Sequence, residues 1–300
     1  MQRGTARTNV REAQSGFGAG SQRGKLPSYY FGNAIKWIFL VTLLLAALLP
    51  MVWLLVSSLR TNLELQISPL GWPQKPQWSN YQKAISMANL PRLFVNSILV
   101  AVFAVSLNIM VTSLAAFVLS REQFRGREAL YTLLTAGVLI PIIAFMVPYF
   151  TLITRLKVYD SLFALILVYA SVNIPVSIFL ITAFMKSIPH ELEEAAIIDG
   201  CGFGMRFLRI IFPLSQSGLA TAGTFCFIYS WNEFIQAMLL TNSLKARTIQ
   251  LGIKFFTSQF ITDYSSMYAA VIITIIPGVA AYIFLHDKII GGLTAGSVKG

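Results

Sequence analysis

Charge is scarce in this chain, and so are the side chains that carry most enzyme chemistry. Only 12% of its 300 residues are Asp, Glu, Lys or Arg, with two histidines and two cysteines. His190 and His286 alone make a multi-histidine metal site hard to build. Cys201 sits in a polar segment and Cys226 in an apolar run, so no disulfide framework is implied. The HExxH, P-loop and GxSxG patterns are missing, and with them the usual zinc-hydrolase, nucleotide-binding and serine-hydrolase signals. Alternating segments of about 10 residues, the mark of a membrane barrel, are missing too.

What the chain has in abundance is apolar length. Hydrophobic residues make up 56% of it and the mean hydropathy is +0.68, too apolar for a soluble domain of this size. Several runs reach the roughly 20 residues that cross a bilayer core. The expected fold class is therefore all-α: a polytopic membrane protein with six transmembrane helices, over Ala34–Leu59, Leu93–Leu119, Ala129–Thr154, Ser161–Met185, Gly218–Leu240 and Met267–Phe284. Pro141, Pro148, Pro175 and Pro277 fall within apolar stretches, where each frees backbone groups that a neighbour must satisfy. The net charge of +11 is spread along the chain, so membrane topology explains it better than nucleic-acid binding.

Residues 1–30 form a Gly/Ser/Arg/Gln-rich basic tail without apolar period, expected to be disordered, ahead of a six-helix transmembrane domain over 31–300. Six spans put both termini on one side, and the basic tail and the short loop Ser120–Glu128, with Arg121, Arg125 and Arg127 just outside a span, point to the cytoplasm. The topology places 14 Lys/Arg inside and nine outside at similar density, so charge alone leaves orientation open. Between the first two spans, Pro69, Trp72, Pro73, Pro76, Trp78 and Tyr81 read as interfacial aromatics and rigid turns, or as an external docking surface.

Two stretches stand out. The first is the polar insert Ser187–Pro213. Pro189 suits a first helical position, and Glu191, Glu193 and Glu194 suit the first turn. Gly200 suits a left-handed end after about 11 residues. Leu192, Ala195, Ala196 and Asp199 fall at i, i+3, i+4, i+7, a shallow face that another protein could approach. A second amphipathic piece, Met205–Phe212, carries Arg206 and Arg209 and is expected to break at Pro213. The other stretch is in the fifth span, where Tyr229, Asn232, Glu233 and Gln236 repeat the same spacing as a polar stripe at membrane depth. A carboxylate there must face a bundle interior or a wet cavity. Two roles stay open: lining a path for Asn232 and Gln236, or interhelical hydrogen bonding with Glu233 as a packing anchor. Aromatic rings beside amide and carboxylate groups suit a sugar.

Glu194-Ala195-Ala196, Gly200, Ile210 and Pro213 resemble the EAA loop of ATP-binding-cassette (ABC) importer permeases, with Phe212 and Ser217 as departures. Asn96-Ser97, Ala115-Ala116-Phe117, Leu119-Ser120-Arg121 and Phe124-Arg125-Gly126 resemble the carbohydrate subfamily. So do Ile188–Leu192, Ala196–Gly200, Trp231-Asn232-Glu233-Phe234 and the ending Gly292–Gly300, which is similar to the smaller maltose-type subunit. The resemblance implies a type I importer permease fold in a bacterial cytoplasmic membrane and no catalysis by this chain. It implies that 187–213 couples to a cytoplasmic ABC ATPase dimer that binds ATP and Mg, leaving this chain without a cofactor of its own. It implies further partners: a second homologous permease subunit, an external solute-binding protein, an oligosaccharide and membrane lipids, with no nucleic acid. Glu194, Ala195, Ala196, Asp199, Gly200, Ile210 and Pro213 would serve ATPase coupling. From the residues alone an ion-coupled secondary transporter using Glu233 remains the alternative.

Overall fold

The computed structural model describes residues 27–87, 89–256 and 263–295. The basic tail 1–26 and the ending 296–300 lie outside the described residues. Among those described there are helices and no strand. The chain divides into two compact units, Met1–Trp53 and Leu54–Gly300.

In the first unit lies most of α1 (Pro27–Ser58), whose apolar side chains between Ile35 and Val52 are exposed. It covers all but the last residue of the first expected span. In the second unit, α2 (Asn62–Ile67) and α3 (Ser79–Met87) form a small cap in the loop before the second span. Buried Arg60 organises it by donating to the carbonyls of Glu64, Ser68 and Pro69, while Asn80 donates to those of Ser58 and Arg60. Trp72 and Trp78 remain exposed.

The helix α4 (Leu90–Arg121) is the mast of the second unit. It feeds three successive apolar clusters. Leu90 and Leu93 meet Trp231, Ile249 and Ala269, Val100 and Ala104 meet Leu165, Tyr169 and Leu240, and Ala116 and Phe117 meet Ile181, Ile211 and Ala222. The alanines matter because lipid tails are as apolar as leucine, so helices associate through close packing rather than through escape from water. A similarly close approach occurs at Gly218, where a Cβ would lie 2.7 Å from the Phe184 side chain.

Most remaining spans are broken. The third consists of α5 (Arg127–Ala136) and α6 (Met146–Arg155), joined through two 3₁₀ turns flanking Pro141 and bent by 101°. The uninterrupted helix expected over Ala129–Thr154 is thus two half-helices. The fourth consists of α7 (Leu162–Val172) and α8 (Ile174–Ser187), bent by 49° where Pro175 cannot donate an N–H. Asn108 on α4 repairs that break by donating to the Ala170 carbonyl (2.8 Å) and accepting from Ser177 Oγ (2.7 Å). Pro148 lies in the first turn of α6 and Pro277 inside a longer helix, so neither marks a break.

Beyond α8 come α9 (Glu191–Ile198), α10 (Phe203–Arg206), a π turn at Phe207–Ile211 and α11 (Phe212–Leu214). The fifth span is α12 (Gln216–Asn232) followed by α13 (Ile235–Leu240), and α14 (Ile249–Gly252) precedes α15 (Tyr264–Ala295), which contains the sixth.

Candidate functional site: a polar knuckle and a broken fifth span

The knuckle begins where α8 ends at Ser187. Its helix α9 starts at Glu191, two residues later than Pro189 suggested, with the His190 carbonyl accepting from Glu193 and Glu194. It ends in a Schellman turn. The Cys201 amide donates to Ala196 and the Gly200 amide to Ile197, with Gly200 at φ +83°. Gly200 is needed there because that region penalises any Cβ.

The free face of α9 differs from the expected one. Glu191, Glu194, Ala195 and Ile198 point outward at i, i+3, i+4, i+7, and Ile198 is 85% exposed. Leu192 and Asp199 are also exposed, but Ala196 turns inward beside Glu193. Ala195 and Ala196 lie about 100° apart around the helix, and the edge of the buried face runs between them, with Ala195 exposed and Ala196 buried. Met205–Phe212 does not break at Pro213 either. The Phe212 amide reaches back five residues to Phe207, the helix runs on through Pro213 within α11, and the chain turns 75° near Ser215 instead. Proline is tolerated early in α11 because its missing N–H would otherwise have to find a carbonyl in the widened π turn. Ile210 packs partly buried on the third cluster, and Pro213 is exposed.

Sequence reasoning missed the buried side of the knuckle. Arg121, the last residue of α4, lies 3.0 Å through Nε from Glu193 Oε1, with side-chain exposures of 1% and 5%. Its Nη2 donates to the Met185 and Ile188 carbonyls at the end of α8. Arg206 donates to Glu193 Oε2 (3.2 Å) and to Glu122 Oε1 (2.8 Å). Glu193 had read as one of three first-turn acids and Arg121 as a charge just outside a span. The available signal was a lone arginine closing an apolar run, with a carboxylate a short loop away from another run's end.

The second arrangement lies at the break in the fifth span. The helix stops at Asn232, Glu233 is extended, and α13 restarts two residues later. Glu233 accepts from the backbone amides of Gln236 (2.7 Å) and Ala237 (2.9 Å) and from the Tyr169 hydroxyl (2.8 Å). The expected continuous stripe therefore does not exist: Tyr229 and Asn232 are on one helix, Gln236 on the next. Glu233 caps α13 and at the same time ties it to α7 through the Tyr169 hydroxyl. Its carboxylate can serve α13 because those first amides have no intrahelical acceptor. Tyr229 meets Tyr169 edge to face with ring centres 5.9 Å apart, Asn232 is exposed, and Gln236 is buried. Tyr229, Asn232, Glu233 and Gln236 still line one cleft of about 620 Å³, facing Ile142, Ile143 and Met146 from the broken third span. Irregular backbone at membrane depth is tolerated where it lines such a cavity.

Comparison with known proteins places these features in a family. Residues 108–289, which include both sites, match the family described as binding-protein-dependent transport system inner membrane component. The chain is 33% identical over 276 residues to the sulfoquinovosyl glycerol transport system permease protein SmoH of Agrobacterium fabrum, covering 92% of this chain and 97% of that one. It is 29% identical over 268 residues to the diacetylchitobiose uptake system permease protein NgcG of Streptomyces coelicolor, covering 89% of each. Its fold is similar, at a TM-score of 0.78 and 21% identity, to a chain in a bacterial ABC transporter involved in import of the acidic polysaccharide alginate, over 88% of this chain and 98% of that one. This chain belongs to the family of inner membrane components of binding-protein-dependent transport systems.

Proposed function

We propose that this chain is one of two permease subunits of an ABC importer that moves an oligosaccharide across the cytoplasmic membrane. The observation that carries the proposal is α9. It is a short helix with an outward face of Glu191, Glu194, Ala195 and Ile198, and an inward face whose Glu193 is ion-paired to Arg121 at the end of α4, which also donates to carbonyls at the end of α8. A cytoplasmic ATPase dimer that binds ATP and Mg docks on the outward face. Both chain termini share that side. Gly200 ends the helix, Ala196 seats it, Asp199, Ile210 and Pro213 shape the return to the fifth span, and Glu194 and Ala195 meet the motor.

Closure of the motor biases the bundle between inward-facing and outward-facing states. Turning a 1:99 ratio into 99:1 requires about 5.5 kcal/mol of differential stabilisation, which must pass through the docking contact. An external binding protein delivers the substrate, and a second, related permease completes the path. Tyr229, Asn232, Glu233 and Gln236 line this chain's half of that path. The names of SmoH and NgcG, together with aromatic rings beside amides, support a saccharide. An ion-coupled carrier would need Glu233 as its exchangeable site, yet that carboxylate already accepts three hydrogen bonds.

The test is Ala195→Glu in the complete transporter reconstituted in proteoliposomes. A carboxylate on the outward face should abolish uptake and binding-protein-stimulated ATP hydrolysis while insertion of the chain survives. Uptake that persists without any ATPase would refute the proposal.

A further inference from the structure

Four charged side chains converge under the knuckle, and the docking face uses none of them. Two belong to the end of α4, Arg121 and the following Glu122; Glu193 belongs to α9, and Arg206 to α10. We infer that this cluster is the joint through which motion of α9 reaches the bundle, with Arg121 as its positioning residue. The inference rests on the reading of α9 as the motor's docking helix.

One guanidinium gathers three elements. Arg121 is the last residue of α4, its Nη2 donates to Met185 and Ile188 at the end of α8, and its Nε faces Glu193 on α9. Arg206 stands on the other side of Glu193 and returns to Glu122, closing a ring from α4 back to α4. Its guanidinium also lies over the rings of Phe117 (6.0 Å) and Phe203 (5.9 Å), a cover of aromatic surface on the cluster. Two positive and two negative charges balance. Arg121 and Glu193 are out of water, so neither can leave without burying a lone charge. A push on α9 is therefore not absorbed locally. It arrives at α4, the one helix among the described residues that places fully buried side chains in all three apolar clusters.

The chemistry requires arginine at this place. Lysine offers one compact ammonium, whereas the planar fork of arginine can meet two carbonyls and a carboxylate along different edges. Glu193 is likewise set apart from Glu191 and Glu194, its neighbours in the first turn, which are exposed.

The experiment uses the complete reconstituted transporter and reads uptake per ATP hydrolysed in Arg121→Lys and Glu193→Gln. A merely structural defect lowers the amount of assembled complex and reduces uptake and hydrolysis in proportion, leaving that ratio alone. A defective joint lets the motor close without moving the bundle. The expected result is assembled complex that still hydrolyses ATP, with the ratio down by about tenfold or more. An unchanged ratio in Glu193→Gln overturns the inference, and that variant decides the matter if Arg121→Lys fails to assemble. Failure of the underlying reading looks different: the unaltered chain would then import without any ATP hydrolysis.

Discussion

Glu233 can be dismantled in steps, and each step has a defined cost. Its carboxylate takes the amides of Gln236 and Ala237 and the Tyr169 hydroxyl, at 2.7, 2.9 and 2.8 Å. Glu233→Ala strips all three donors of their acceptor. A buried donor left alone costs about 1–3 kcal/mol. The cleft beside Glu233 admits water, so the lower end applies and the sum is about 3 kcal/mol. Glu233→Gln retains one acceptor oxygen but turns an NH₂ toward groups that also donate, for about 1–2 kcal/mol. Tyr169→Phe removes a single bond, about 1 kcal/mol. The assay is thermal denaturation of the purified complex in detergent, where midpoints should fall in the order Ala, Gln, Phe from the lowest. Uptake by Glu233→Gln should show no altered dependence on pH or cations, whereas an ion-coupled carrier would lose that dependence. A Glu233→Ala midpoint equal to that of the unaltered chain would refute the reasoning, because the break would then not need its cap.

Gly200 has open space around it, with no atom beyond its immediate chain neighbours within 4 Å of where a Cβ would stand, so substitution there is a test of backbone alone. Gly200→Asn should retain most uptake, since Asn visits the left-handed region, while Gly200→Val should cost about 1–2 kcal/mol and lower uptake in the reconstituted transporter. Asp263 ties the start of α15 to α2 by accepting from Asn62 Nδ2 (3.0 Å) and from Ser266 N (3.0 Å) and Oγ (2.7 Å). Burial raises its carboxyl pKa, but the Ser266 and Asn62 donors outweigh that and hold it below the usual value. A lowered folded-state pKa stabilises above the unfolded value of about 3.9, and the stabilisation vanishes as pH falls through the folded one. Asp263→Asn should thus lower the neutral-pH denaturation midpoint and flatten its decline below about pH 4. An unchanged acid limb would contradict this.

Apolar length was the most legible signal. The first two spans fall on α1 and α4 because each is one long apolar run, continuous in α1 even through Pro50. The position of Gly200 was legible too, since few residues tolerate that turn. Breaks were not: Pro141 and Pro175 announced freed backbone groups, but whether a proline bends, starts or merely sits in a helix depends on who satisfies the carbonyls. Asn108 does so across 62 residues of chain, beyond the reach of any local pattern. The same holds for Glu233, whose spacing suggested a continuous stripe while its carboxylate was capping the next helix. Helical spacing also could not say which side of α9 faces the bundle. That choice is made by Arg121 and Arg206, whose pairing with Glu193 turns Ala196 inward.

The half-helices carry a consequence for how the protein is made. With 10, 10, 11 and 14 residues, α5, α6, α7 and α8 are individually too short for a bilayer core of about 30 Å. Unlike α1 and α4, none of them can partition into lipid as a finished unit, and the Ala170 carbonyl beside the break accepts from the Asn108 side-chain amide on α4. Biogenesis must accordingly be ordered, with the second span in place as a template before the fourth can leave the translocon for good.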